Sequence, residues 1–336
     1  MDLDLVFLGT SGSMPTGFRG APALLVRRGG ERLLFDCGEG TQRQLLLSSV
    51  GLVDLAEVFL THYHADHYLG LPGMLKTFAL RGREQPITIY GPPGLRELFG
   101  DLRRIFGRLT YDYRLVELRP GDELARVGYR IQVFPVLHGV RAAGYAIVED
   151  ARPGRFDVRR ADELGVPAGP ERGALQRGEH VTLADGRIIT PDQVLGPARR
   201  GRKLAITGDT APSSEVVEAV RGADVLVHEA TFLEDEQGRA RETMHSTALD
   251  AALIAREAEV ALLALVHLSN RYLGRDAARE ARSVFEPTVV PKDFDTIDVA
   301  FEERGGPRLV KGGAVYGRAQ APTAEETVTV GEEGAA

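Results

Sequence analysis

The run Thr61-His62-Tyr63-His64-Ala65-Asp66-His67 places three imidazoles and a carboxylate within six residues, directly after the apolar stretch Val58-Phe59-Leu60. Other potential ligands far along the chain stand in the same relation to an apolar run. His138 follows 131–137, Asp209 follows 204–207, His228 follows 225–227 and His267 follows 261–266. His62 and His64 can project from one side of a turning loop while Asp66 and His67 reach the other, so two metal ions could share it. In layered α/β folds the strand ends carry functional groups to a common crevice. Several strand ends on one edge can therefore converge on the loop at 62–67. Imidazole and carboxylate donors suit Zn(II), and two metals about 3.5 to 4 Å apart form a clamp for phosphoester or other hydrolysis.

Periodicity supplies the strands. Short apolar runs bounded by turn signals predict strands at 3–8, 23–26, 32–35, 58–60, 87–90, 129–137 and 143–148, and near-continuous apolar runs predict more at 204–207, 225–227 and 261–266. Apolar residues three and four apart predict helices at 40–49, 70–80 and 93–106. Strands that first meander and then interleave with helices give an α/β sandwich of two sheets covered by helices. Two segments break the pattern. The stretch of about 150–201 is rich in Pro, Gly and Arg with little periodicity, and 317–336 is small, acidic and aperiodic, which predicts a disordered tail. A catalytic domain over 1–316 with an excursion at 150–201 is the expected organisation.

Composition narrows the chemistry. The single Cys37 excludes a disulfide framework and every Cys-based zinc cluster, so a metal site must use His and carboxylate, and it points to a reducing, cytoplasmic setting. There is no signal-peptide pattern at the N-terminus and no apolar window long enough for a membrane span. Of 41 basic residues only four are Lys, and the formal net charge of -7 has the wrong sign for nonspecific nucleic-acid binding. Part of that charge lies in the tail, where four Glu face one Arg.

Together the motifs resemble the metallo-β-lactamase superfamily and, within it, the tRNase Z (ribonuclease Z) family. The residues that carry the likeness are Phe7-Leu8-Gly9-Thr10-Ser11, Phe35-Asp36-Cys37-Gly38-Glu39-Gly40-Thr41-Gln42, the loop at 61–67, Thr207-Gly208-Asp209-Thr210, His228-Glu229-Ala230-Thr231-Phe232, His245-Ser246-Thr247 and His267-Leu268-Ser269. The loop motif alone marks the superfamily; the whole set, over about 3–303, is specific to tRNase Z. The resemblance implies a metallo-β-lactamase-like αβ/βα sandwich of two mixed sheets flanked by helices, with a protruding arm at 150–201 that grips tRNA. It implies two Zn2+ per subunit, one held by His62, His64 and His138, the other by Asp66, His67 and His267, with Asp209 bridging. Asp66 carries the family role of proton acceptor. A homodimer is implied, each arm presenting tRNA to the other subunit's site.

His245 follows no apolar run and precedes a helical pattern at 246–258 with Ser246 as N-cap, so it suits proton donation to a leaving ribose 3′ oxygen better than ligation. His228 and Glu229 are expected to support the ligands through hydrogen bonds, and His180 is expected to be inert. Arg155, Arg159, Arg160, Arg172 and Arg177 in the arm, with Arg19 near the N-terminus, are the candidate RNA contacts. One departure stands out. The family's Pro-x-Lys-x-Arg-Asn pattern reads Pro15-Thr16-Gly17-Phe18-Arg19-Gly20 here, without the Lys and the Asn.

The expected function is a zinc-dependent endoribonuclease that removes the 3′ trailer from precursor tRNA and leaves a 3′ hydroxyl, with no membrane and no DNA partner. The alternative is a superfamily hydrolase of a small phosphodiester, sulfate ester or thioester, for which an RNA-gripping arm has no use.

Overall fold

The structure, a computed structural model, describes residues 1–52 and 55–312. The acidic tail expected at 317–336 lies outside the described residues. The first half runs β1 (Leu3–Gly9), β2 (Ala23–Arg28), β3 (Glu31–Phe35), α1 (Thr41–Leu47), β4 (Glu57–Phe59), α2 (Ala65–Tyr68), α3 (Gly70–Leu80), β5 (Ile87–Gly91), α4 (Leu95–Phe106) and β6 (Tyr113–Glu117). Next come β7 (Glu123–Arg126), β8 (Tyr129–Pro135) and β9 (Ala143–Glu149), then an excursion with α5 (Val158–Glu163), α6 (Pro170–Gln176), β10 (Val181–Thr182) and β11 (Ile188–Ile189). The chain returns as β12 (Lys203–Ile206), α7 (Ser214–Val220), β13 (Val225–Glu229), α8 (Gln237–Thr243), α9 (Ala248–Glu257), β14 (Leu262–Val266), α10 (Gly274–Arg282), β15 (Thr288–Val289), β16 (Thr296–Val299) and β17 (Pro307–Val310).

Two mixed sheets result, ordered β17-β16-β1-β2-β3-β4-β5-β6 and β15-β14-β13-β12-β9-β8-β7. The turn Gly29-Gly30 closes β2 onto β3 with Arg28 opposite Glu31, and Gly29 takes φ 56°, which a two-residue hairpin of this kind requires. From β3 to β6 and from β12 to β15 the pairing is parallel, and each return passes through helix. Strands covered on both faces have no polar face to present, which is why 225–227 and 262–266 read as unbroken apolar runs.

Three apolar layers hold the sandwich together. Between the sheets lie Phe7, Val26 and Leu33 against Ile131, Ile147 and Val225. The aromatic stack Phe35–Phe59–Tyr90, with centroids 4.9 and 4.5 Å apart, fills the same layer beneath the 61–67 loop. Outside the first sheet, Leu71, Met74, Phe78, Phe99 and Phe106 bring α3 and α4 onto it; outside the second, Val216, Val220, Ala251, Ala255 and Ala277 seat α7, α9 and α10.

The excursion is a built structure rather than an aperiodic loop. It leaves the sheet between β9 and β12, which are antiparallel neighbours, and packs Ala161, Val166, Leu175, Val181, Ile189 and Val194 into a small core of its own. At its root Glu149 accepts Arg202 Nε at 2.7 Å and Arg28 Nε at 3.0 Å, all three side chains buried. Arg152 and Arg199 both reach Glu303, at 2.7 and 2.9 Å. Because β12 starts at this root and leads to Asp209, the excursion and the histidine loop stand at opposite ends of the sheet. The 7 residues of β9 alone separate them by about 20 Å.

Sequence periodicity overran several ends and missed the edges. Pro135 closes β8 before His138, and the helix after Pro93 starts at Leu95. Strands β6, β7 and β17 escape the hydrophobic pattern because they are half-exposed edges that carry charged residues, and β16, an inner strand between β1 and β17, because Thr296 and Asp298 alternate with its two apolar residues. Ser246 is not the cap of α9. That cap is Thr247, whose Oγ1 accepts from Asp250 N while Asp250 accepts the Thr247 amide, and Ser246 donates to Thr210 O at 2.6 Å.

Candidate metal centre

The 61–67 loop divides its ligands by a change of backbone. His64 is extended at φ -71° and ψ 144°, and the single helical turn α2 then carries Asp66 and His67 away from His62 and His64. Around it the structure brings His62, His64, His138 and Asp209 into one group and Asp66, His67 and His267 into a second, with the donor atoms of each group within 4.8 Å of one another. In the first group His64 Nδ1 lies 3.0 Å from His62 Nε2 and 3.1 Å from His138 Nε2. In the second His267 Nε2 lies 3.3 Å from both His67 Nε2 and Asp66 Oδ2. Asp209 Oδ2 sits between them, 3.7 Å from His62 Nε2 and 3.4 Å from the Nε2 atoms of His67 and His267. Gly208 makes this placement possible: it takes φ 63°, and a Cβ there would stand 2.7 Å from Thr61 Cβ.

These separations fit a metal. Tetrahedral coordination at about 2.0 to 2.1 Å sets ligand atoms about 3.3 Å apart. Asp209 Oδ1 is buried without a hydrogen-bond partner, and three imidazole nitrogens meeting at His64 cannot satisfy one another. Burial first, then neighbouring imidazoles, pushes His62 below its ordinary value, and burial lowers His64, so both stay neutral with a lone pair to offer. For His67 burial works the other way from the carboxylates of Asp209 and Asp36, and the carboxylates win, raising it well above its ordinary value. A cation between the groups would take over the balancing charge that a protonated His67 otherwise supplies.

The ring nitrogens of His62, His67, His138 and His267 that face away from the cluster are fixed, and here lie residues that sequence reasoning missed. His67 Nδ1 is 2.8 Å from Asp36 Oδ2 and His62 Nδ1 is 3.0 Å from Thr61 Oγ1. Thr61 in turn donates its hydroxyl to Asp36 Oδ2 at 2.9 Å and its amide to Oδ1 at 2.8 Å. Asp36 reaches them because its backbone turns left-handed, φ 57°, just past β3. On the other side Thr231 Oγ1 donates to Glu229 Oε2 at 2.5 Å and lies 2.8 Å from His267 Nδ1. His138 Nδ1 faces the Met244 carbonyl at 3.0 Å. Each contact leaves the opposite nitrogen bare toward the cluster. Beside Asp36, Cys37 donates its amide to His67 O and accepts Gly70 N, and burial pushes its thiol up to about 12.

His245 reaches the site from the turn before α9, its Nδ1 2.7 Å from Glu229 Oε1 and 3.9 Å from Asp209 Oδ2. Burial opposes its protonation, but the Glu229 carboxylate outweighs it and raises the imidazole to about 9. Asp66 Oδ2 accepts the Ser13 amide at 2.9 Å. Burial would raise its carboxyl, yet the bond with His267 and the neighbouring imidazoles hold it below the usual range, which makes it a poor proton acceptor.

The structure separates the pair His228 and Glu229. Adjacent strand residues face opposite ways. Glu229 points into the site, where it also accepts the amides of Thr210 and Thr231, whereas His228 belongs to the face packed under the helices. Its Nδ1 bonds only the Glu229 carbonyl and its Nε2 has no partner, so it supports no ligand. His180 is exposed in the arm, away from the site. The arm arginines also divide. Arg160 pairs with Glu163, Arg172 with Asp162 and the Val166 carbonyl, and Arg177 with Glu179, whereas Arg155 and Arg159 are exposed with no carboxylate partner among the described residues. Arg19 is turned inward, its Nη1 donating to Thr10 Oγ1 at 2.5 Å and Pro291 O at 2.9 Å.

Among known proteins, the sequence model described as "Beta-lactamase superfamily domain" matches residues 31–268. A ribonuclease Z from Archaeoglobus fulgidus is 45% identical over 307 residues, covering 89% of this chain and 98% of the relative. Another from Myxococcus xanthus is 49% identical over 271 residues, covering 80% and 88%. The crystal structure of the short form of human tRNase Z superposes with a TM-score of 0.64 at 27% identity, over 89% of this chain and 100% of that one. With the two ligand groups, the shared carboxylate and the sandwich that presents them, these likenesses lead to one conclusion: the chain belongs to the ribonuclease Z family of the β-lactamase superfamily.

Proposed function

We propose that this protein is an endoribonuclease that hydrolyses the phosphodiester joining precursor tRNA to its 3′ trailer, using two zinc ions per subunit. The observation that carries the reading is the pairing of two ligand groups through Asp209, with the His245 imidazole held by Glu229 at their border, within reach of Asp209 and His267. His62, His64 and His138 would hold one ion, Asp66, His67 and His267 the other, and Asp209 both. Such a pair supplies Lewis acidity at the phosphoryl oxygens and an ionised water for attack.

The chain's own groups do the rest. Nδ1 of His245 is committed to Glu229 and near Thr231, so Nε2 presents the proton to the departing ribose 3′ oxygen. Glu229 keeps that proton in place at neutral pH. Asp66 acts as a ligand oriented by the Ser13 amide rather than as a base. The arm at 150–201 serves to hold tRNA, with Arg155 and Arg159 as its available cations. Since arm and metal centre stand at opposite ends of the sheet, an arm gripping one tRNA serves a second copy's centre, which supports a homodimer. No helix among the described residues is long and apolar enough to cross a membrane; with one buried thiol, this favours the cytoplasm.

The test is cleavage of two end-labelled precursor tRNAs, with and without an encoded CCA, by purified protein whose zinc is quantified. Cleavage of at least one at the trailer junction, with two zinc per chain, is expected. Hydrolysis of a small phosphodiester without any cleavage of precursor tRNA would sink the reading in favour of a small-ester hydrolase.

A further inference from the structure

The arm at 150–201 leaves the sandwich on two legs, and its outer part has no other tie to the body. Its apolar core, around Ala161, Leu175 and Ile189, contains no residue of either sheet. Among the described residues, no hydrogen bond or ion pair joins 158–193 to the sheets; the charged side chains there pair with one another. The legs run antiparallel. Arg152 and Arg199 exchange amide and carbonyl at 2.7 and 2.9 Å, and Gly196 donates its amide to Arg155 O at 2.9 Å. Gly154 lets the legs close up, since a Cβ there would stand 1.9 Å from Gly196 O.

What grips the legs comes from the other sheet. They spring from β9 and β12 of the second sheet, whereas the turn after β16 of the first sheet brings Phe301 and Glu303 against them. Glu303 accepts Arg152 on both carboxylate oxygens, at 2.7 and 3.3 Å, and Arg199 on Oε1 at 2.9 Å. The two arginines stand opposite each other across the legs, so this one carboxylate neutralises like charges that would otherwise push the legs apart. The guanidiniums of Arg152 and Arg202 lie over the Phe301 ring, 3.3 and 4.2 Å from its centroid. Arg202 carries the tie further into the first sheet, donating to Val299 O at 2.8 Å. Ion pairs as exposed as this one, with Glu303 26% exposed, add little to overall stability. What the contact fixes is a direction. Extended backbone rises about 3.3 Å per residue, so the leg 152–157 carries α5 up to about 20 Å from the turn, where a swing of about 10° shifts it by about 3.5 Å.

We propose that Phe301 and Glu303 are positioning residues for the reaction: the turn at 301–304 latches the arm to both sheets, so that gripped tRNA is offered to a metal centre in one orientation. The proposal rests on the function above. It is tested with Glu303→Gln and, separately, Phe301→Leu, by kinetics on precursor tRNA and on a small phosphodiester and by amide hydrogen exchange along the legs.

For Glu303→Gln, KM for precursor tRNA should rise about tenfold as the preorganised grip is lost, with kcat and KM for the small ester unchanged. The sign of the change discriminates, because removing an acid near the arm would by charge alone tighten phosphate binding and lower KM. The amides of Arg152 and Arg199 should exchange faster while those of β13 keep their protection. Phe301→Leu, which alters no charge, should raise the same KM about threefold through the lost cation–ring contacts. A KM for precursor tRNA that falls or stays, leg amides that keep their protection, or equal loss on both substrates would overturn the latch. Wild-type protein that hydrolyses the small ester but no precursor tRNA would refute the function itself, and the role of the latch with it, even where the legs loosen as expected.

Discussion

Two hydroxyl–carboxylate junctions flank the candidate metal centre, and they differ in what they serve. Thr61 with Asp36 fixes the outer nitrogens of His62 and His67, both metal-ligand candidates. Thr231 with Glu229 fixes one such candidate, His267, and the proposed proton donor, His245. The chemistry of the brace is the same: a threonine hydroxyl gives its one hydrogen to a carboxylate and accepts from an imidazole. The difference teaches that one device can either hold a metal or tie the metal to proton transfer, depending only on which ring the second arm reaches.

That contrast can be broken at several places. The largest effect is expected at His245→Ala, which should keep both zinc ions and lose about 10² to 10⁴ in kcat, measured with zinc content on the same sample. Loss of metal instead would make His245 a ligand and erase the distinction. Glu229→Gln should approach the same loss and also move the alkaline limb of the pH–rate profile. Glu229 raises the folded-state value of His245, so the donor stays protonated at neutral pH and is lost as pH rises through that value. Without the carboxylate the limb must move to lower pH; a limb that stays in place would show that another group donates.

Asp36→Asn should act on metal alone. Zinc affinity, read by chelator competition, should weaken about 10 to 100-fold while the alkaline limb does not move. A moved limb would mean that the two junctions are not separate. Smaller still is the effect on turnover of Glu149→Gln, a buried carboxylate braced by arginines at the far end of the sheet. It should cost about 3 to 5 kcal/mol of stability in chemical denaturation, leaving hydrolysis of a small phosphodiester unchanged. Bonding to Arg202 and Arg28 overcomes burial and lowers the Glu149 folded value, so its contribution is complete above the ordinary glutamate range and fades as pH falls toward the lowered value.

Much of the centre is legible in the sequence because each ligand stands beside something local, an apolar run or the 61–67 motif. The braces are not. Asp36 earns its place through a left-handed turn and a contact 25 residues away, neither of which spacing encodes. Thr231 needs β13 and β14 already side by side before it can meet His267. His228 is a different kind of failure, since the period of a strand already places neighbours on opposite faces, and the pairing with Glu229 obscured it. The arm reads as aperiodic because α5 and α6 have 6 and 7 residues, too few turns for a hydrophobic stripe to repeat.

Cys37 turns the metal loop into something that can be timed. The only thiol in the chain is wholly buried and joined through its backbone to His67 and Gly70, so a reagent in solution meets it only when that junction parts. Its labelling rate therefore counts openings of the loop. Bound zinc, by mass action, should slow the count in proportion to how rarely the ligands let go.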